Sequence, residues 1–147
     1  MKIIVDTNII FSALLNSTGT IGDLIFNSDR NFEFYSCSYM KHEIDKHWDK
    51  LKSISKLTEE QLLLARLELF KKINFINEEL IPEKQWLSAE RIVKDIDIDD
   101  SDFVALTNFM KGHLWTGDKP LYNGLKEKNF KKVINTKELD ELRKGKD

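Results

Sequence analysis

With one cysteine, Cys37, the chain has no intrachain disulfide to form, and that favours a reducing compartment and a cytoplasmic location. Proline and glycine are also scarce, at 2 and 6, so little of the sequence reads as linker or low-complexity segment. Long hydrophobic runs are absent. The most apolar stretch, "IIVDTNIIFSALL", is broken by an aspartate and an asparagine and falls short of the ~20 apolar residues of a membrane span, so no membrane partner is expected. No basic segment leads into an unbroken apolar one, so no secretory signal is expected. Neither sign of charge dominates, and the formal net charge is -2.

What is present fits one soluble globular domain over residues 1–147, with 41% apolar and 33% charged residues and enough length to bury a core without staples. The near-neutral balance hides an uneven distribution. Bases crowd "KEKNFKK" and "LRKGK", whereas acids cluster in "DIDIDDSD". Such a charge run is most often a solvated face, but a basic rim beside an acidic centre also suits a polyanion and a cation together.

Periodicity gives alternating strands and helices. "KIIV", "FEFYSCS", "HLWT" and "KKVINT" read as strands. Residues 38–52 carry a helical stripe of Met40, Ile44, Trp48 and Leu51, and Thr58 with Gln61 has capping-box spacing before a long helix. Further helices are expected in "EKQWLSAERIVK", in "SDFVALTNFMKG" with Gly112 at its end, and near "YNGLKEK" and "TKELDELRK". Strands separated by helices imply a three-layer α/β/α fold around a mainly parallel sheet.

In such a fold, ligands bind beyond the carboxyl ends of the strands. Asp6 follows the first strand, and Asp118 follows "HLWT" by one glycine. At ~100° per residue Glu43 falls among Tyr39, Met40 and His47, on the mostly apolar face of its helix, where a carboxylate needs a partner. Five aspartates crowd the eight residues of "DIDIDDSD". Helix capping accounts for one or two of them, and the rest repel one another unless a cation or base is near. Asp100 shares a face with Phe103 and Thr107, while Asp102 is expected on the opposite flank. Asp6, Glu43, Asp100 and Asp118, without clustered histidines or cysteines, make an oxygen-rich set suited to Mg²⁺ or Mn²⁺ rather than zinc. That points to metal-dependent phosphodiester hydrolysis.

The segments "IIVDTNIIFSALL", "SYMKHEIDKHWDKL", "DIDDSDFVAL" and "LWTGDKPL" together resemble the four acidic motifs of the PIN-domain ribonucleases, a group that includes many toxins of toxin-antitoxin pairs. The resemblance spans nearly the whole chain. It implies a parallel sheet with the first strand in its middle, and an endoribonuclease that cleaves single-stranded RNA with a metal-activated water and leaves 5′-phosphates. By position, Asp6, Glu43, Asp100 and Asp118 would be the catalytic, metal-holding acids. Thr7, Asn8 and Thr116 would support them, with Asp97 and Asp99 nearby. Asp97, Asp99 and Asp102 stand as rivals to Asp100 for the third position, and Thr107 takes a place where small apolar residues are more usual. RNA, an antitoxin protein and a second copy of the chain are the partners this implies.

Competing readings are an inactive PIN-like fold that binds RNA or protein, and a receiver-like signalling domain. The receiver would need an acidic pair after the first strand and a phosphoacceptor after the third, and neither is evident. A haloacid-dehalogenase-like phosphatase would need a second aspartate where Asn8 stands. His47, one turn from Glu43, reads as a partner of that acid or as a rim histidine. Trp48, Trp86 and Trp115 read as core, and Cys37 as an inert buried thiol.

Overall fold

Ile3, Ile4 and Val5 are fully buried, which is why β1 (Lys2–Val5) shows no polar alternation: it lies at the centre of a parallel sheet covered on both faces. The structure, a computed structural model, describes residues 1–97 and 100–146. After β1 come α1 (Thr7–Leu15), α2 (Thr20–Asn27), β2 (Glu33–Cys37), α3 (Met40–Lys46), α4 (Trp48–Ser55), α5 (Glu59–Lys72) and β3 (Ile73–Ile76). A 3-10 turn at Glu78–Leu80 leads to α6 (Glu83–Val93), α7 (Ser101–Met110), β4 (His113–Trp115), α8 (Lys119–Glu127), β5 (Val133–Ile134) and α9 (Thr136–Lys146).

The five strands are parallel throughout, in the order β3-β2-β1-β4-β5. Ile4 sits between Tyr35 of β2 and Leu114 of β4. Helices α1, α2, α4 and α5 pack on one another in one layer, joined by α9 through α2; α6 and α7 pack together, and α7 lies against β1, β2 and β4. This is the three-layer α/β/α fold with the first strand in the middle. The chain leaves β1 toward β2 and β3, then crosses back to β4 on the other side, so strand order reverses between β1 and β4. A crevice opens at the carboxyl ends of the strands at such a point.

Local chemistry explains most elements. The capping box at α5 is present, with Thr58 Oγ1 accepting from Gln61 N–H and Gln61 Oε1 accepting from Thr58 N–H. Helix α7 ends on Lys111 in the left-handed region, φ 57°, rather than on Gly112. Gly112 is needed for another reason: a Cβ there would stand 2.7 Å from the Lys2 carbonyl oxygen, so the turn into β4 lies directly on β1.

Three departures from the sequence reading stand out. The helix over 38–52 is broken at His47, φ -101° and ψ 15°, into α3 and α4. The break lets Met40 and Ile44 enter the core while α4 packs on α1 and α5, with the Arg66 guanidinium 4.4 Å from the Trp48 ring centre. Strand β3 was hidden because the apolar rhythm of α5 runs on into it; Ile73 is both the C-cap of α5 and the first strand residue. Helix α2 was hidden by Gly22, a usual helix breaker, which is required because a Cβ there would lie 2.2 Å from the Ser17 carbonyl oxygen.

Candidate active site at the strand reversal

Asp6 is the residue at which β1 becomes α1. Its backbone N–H still donates to the Trp115 carbonyl of the neighbouring strand at 3.1 Å, while its own carbonyl accepts from Ile9 N–H at 3.1 Å and Ile10 N–H at 3.3 Å. The carboxylate is 4% exposed and held at both oxygens. Oδ1 accepts from Thr7 N–H at 2.7 Å, and Oδ2 accepts from the Thr116 hydroxyl at 2.6 Å. Thr116 Oγ1 in turn accepts from Asp118 N–H at 3.0 Å. One buried hydroxyl therefore spaces two acidic residues more than a hundred positions apart.

Asp118 caps α8, its Oδ1 accepting from Leu121 N–H at 3.2 Å, with Pro120 in the first turn. Asn8 closes the same corner by accepting from Gly117 N–H at 3.3 Å. Burial raises the pKa of Asp6 above the ordinary aspartate value; the bonds from Thr116 and Thr7 oppose that shift, and the charge of Asp118 adds to it. A cation nearby would relieve this cost.

A cleft of about 440 Å³ opens beside this pair, lined by Thr7, Tyr39, Glu43, Lys46, Asp100, Asp102 and Phe103. Glu43 lies in the first turn of α3 with its side chain 34% exposed, and its Oε2 is 3.7 Å from His47 Nε2. Asp100 is the N-cap residue of α7 and Asp102 lies in its first turn, both half-buried. Asp102 thus faces the cleft and not the opposite flank: the turn before α7 sets the helix so that its first two acids share one wall. Tyr39 stands at the centre of the cleft. Its phenol is driven above the usual tyrosine range mainly by burial, then by Asp102, Cys37, Asp6 and Glu43, so it remains a neutral donor. Cys37 is a buried thiol raised the same way, by burial first and then by Asp102, Glu78 and Asp6.

A model of the PIN domain matches residues 4–140. The chain belongs to the PIN domain family. This PIN domain is also similar in fold to a chain in the crystal structure of VapBC2 from Rickettsia felis bound to a DNA fragment from their promoter. The two share 15% identity at a TM-score of 0.65, over 92% of this chain and 97% of that one. No curated protein matches the sequence.

Within the PIN domain, the four acidic motifs fall at the carboxyl end of the sheet but not in one cavity. Glu43 and Asp100 line the cleft described above; Asp118 and Thr116 line an adjoining one; Asp6 lies buried between Thr7 and Thr116. Asp97 is exposed on the turn before α7, and Asp99 lies outside the described residues. Among the described residues, no group of three or more His, Cys, Asp or Glu side chains is placed to hold one metal ion. The donor set nevertheless suits a hard divalent cation in kind: every group is an oxygen, and the most buried of them carries an uncompensated cost of ionisation. Sequence reasoning overlooked Tyr39 and Lys46. Their signal was there, since they lie four residues before and three after Glu43, the spacing of one helical face. No single helix among the described residues is long and apolar enough to cross a membrane.

Proposed function

We propose that this PIN domain is a Mg²⁺- or Mn²⁺-dependent endoribonuclease that hydrolyses single-stranded RNA, and that it is the toxin of a toxin-antitoxin pair. The observation that carries the reading is the meeting of buried Asp6 and capped Asp118, through Thr116, beside a cleft walled by Glu43, Asp100 and Asp102. Family membership supports nuclease chemistry, and the likeness to a chain of the VapBC2 complex supports an antitoxin partner. A homodimer and a cytoplasmic setting belong to the same proposal.

Asp6, Glu43, Asp100 and Asp118 would hold the cation, which when bound supplies positive charge against a phosphate and lowers the pKa of water. The chain's own groups do the rest. Thr116 and Thr7 fix both oxygens of Asp6, so its orientation costs nothing at the moment of binding. Tyr39 offers a neutral hydroxyl in the cleft, and Lys46 offers a positive charge for a phosphate oxygen. No protein nucleophile is called for.

The purified protein should cut single-stranded RNA with Mn²⁺ or Mg²⁺, stop with EDTA and leave ligatable 5′-phosphate ends. Cyclic phosphate ends, or cutting that persists in EDTA, would overturn this reading. One observation favours a second reading, a PIN fold that binds RNA or protein without cutting: among the described residues no three acidic side chains are placed around one ion. RNA retained on the protein but intact in Mn²⁺ would establish it.

A further inference from the structure

A second cavity, of about 300 Å³, adjoins the acidic pair on its far side and is lined by Thr116, Gly117, Asp118, Lys119, Tyr122, Asn135, Thr136 and Lys137. It shares Asp118 and Thr116 with the candidate active site, so a chain crossing that site enters this cavity next. Its aromatic wall is rigid. The Tyr122 hydroxyl donates to Glu138 Oε1 at 2.8 Å, and the same oxygen accepts from Asn135 N–H at 3.0 Å while Asn135 Oδ1 accepts from Glu138 N–H at 2.8 Å. Thr136 is tied in turn to the core, accepting from Trp115 Nε1 at 3.0 Å. The Lys126 ammonium lies 5.4 Å from the Tyr122 ring centre. Lys119 and Lys137 are exposed, and neither has an ion pair among the described residues.

We infer that this cavity is a nucleotide subsite: a base of single-stranded RNA next to the cleaved phosphodiester stacks on Tyr122 while Lys119 and Lys137 hold its flanking phosphates. The inference rests on the function proposed above and adds where the substrate strand lies. A fixed phenol offers stacking at low entropic cost, and stacking tolerates any base. Two unpaired lysines at the mouth match the charge of a backbone and oppose the repulsion that the acids beside them exert on it. A paired base cannot present its face to the ring, so the subsite also selects unpaired strands.

The test uses the full chain and a fluorescently labelled, mixed-sequence single-stranded oligoribonucleotide, bound in EDTA so that nothing is cut. Tyr122→Leu should weaken binding roughly tenfold or more, and Tyr122→Phe, which keeps the ring and frees it from Glu138, only about two- to threefold. The Lys119→Ala/Lys137→Ala double variant, exposed at both positions and so safe for folding, should weaken binding and flatten the slope of log affinity against log salt by about 1. An Arg30→Ala/Lys71→Ala control, both residues preceding strands at the opposite end of the sheet, should leave binding and slope unchanged. Equal losses in the control, or wild-type affinity in both the Tyr122→Leu and the double-lysine variants, overturns the subsite. A wild type that cuts RNA in Mn²⁺ while these variants keep its KM also overturns the subsite and leaves the nuclease standing. A wild type that neither binds nor cuts RNA overturns the nuclease reading and this inference with it.

Discussion

The two sides of the acidic cleft carry the same kind of charge but are built differently. On the strand side, Asp6 is buried, both its oxygens are bonded, and Thr116 ties it to Asp118. On the helix side, Glu43, Asp100 and Asp102 project from the first turns of α3 and α7, half-buried around Tyr39 and within reach of Lys46. Strand ends are held by ladders on both sides and place a carboxylate to a fraction of an ångström. Helix starts leave side chains free to adjust when an ion or phosphate arrives. The difference suggests that the strand side sets where a ligand sits and the helix side completes its coordination.

The largest effect expected from breaking this comparison is at Asp6. Asp6→Asn, nearly isosteric, should lower RNA cleavage by about a hundredfold or more. Stability should move the other way. Because burial raises the folded pKa of Asp6, the unfolded chain releases its proton first as pH rises, and stability falls across the interval above the ordinary aspartate value. Thermal melts without metal should therefore show the mutant as stable as the wild type or more so at pH 7, with the gap closing as pH falls below about 4. Mn²⁺ should stabilise the wild type in proportion to RT ln(1 + [L]/Kd) and the mutant far less. A mutant that still cuts RNA and gains the same Mn²⁺ shift would make Asp6 a helix cap only.

Next in size, Asp100→Asn and Asp102→Asn should each reduce cleavage by roughly tenfold or more, whereas Asp97→Asn, on the exposed turn, should not change it. Full activity in Asp102→Asn would mean that this acid only lines the wall. Thr116→Val is expected to cost about 1–3 kcal/mol by leaving Asp6 Oδ2 and Asp118 N–H without their shared partner. It should also push the Asp6 pKa further up, moving the acid limb of the rate profile to higher pH. A profile unmoved in Thr116→Val would separate Asp6 from the chemistry.

The smallest effect belongs to the helix side. His47 and Glu43 are half-exposed and 3.7 Å apart, so His47→Ala should alter stability by no more than about 1 kcal/mol and leave cleavage within about twofold. A large loss of activity would raise His47 from the rim to a group that orients Glu43.

How far the site was legible in the sequence can be followed residue by residue. Asp6 and Asp118 were readable because a strand followed at once by Asp and a helix puts the acid at the carboxyl edge of a parallel sheet, whatever the strand order. Glu43 stood out as an acid within a mostly apolar helical stripe. Asp102 was misplaced because 100° per residue assigns positions around a helix but not how the helix is turned toward its neighbours. The single helix over 38–52 was too long because Met40, Ile44, Trp48 and Leu51 keep one rhythm across a break that only packing demands. β3 was lost for a similar reason, since two periods overlap at its first residue.

The sequence by itself therefore determined the inventory: alternating strands and helices, a single thiol too buried to react, and carboxylates rather than histidines or cysteines as candidate ligands. Those properties are local, set by side-chain chemistry and short-range periodicity. The tertiary structure decided adjacency. Parallel strands are joined by long crossovers, so nothing in the chain announces that β1 lies beside β4, nor that Thr116 reaches back 110 residues to Asp6. The reversal of strand order between β1 and β4, the wall shared by Asp100 and Asp102, and the cavity around Tyr122 all follow from that pairing. They exist only because burying both faces of a sheet forces distant segments to share one edge.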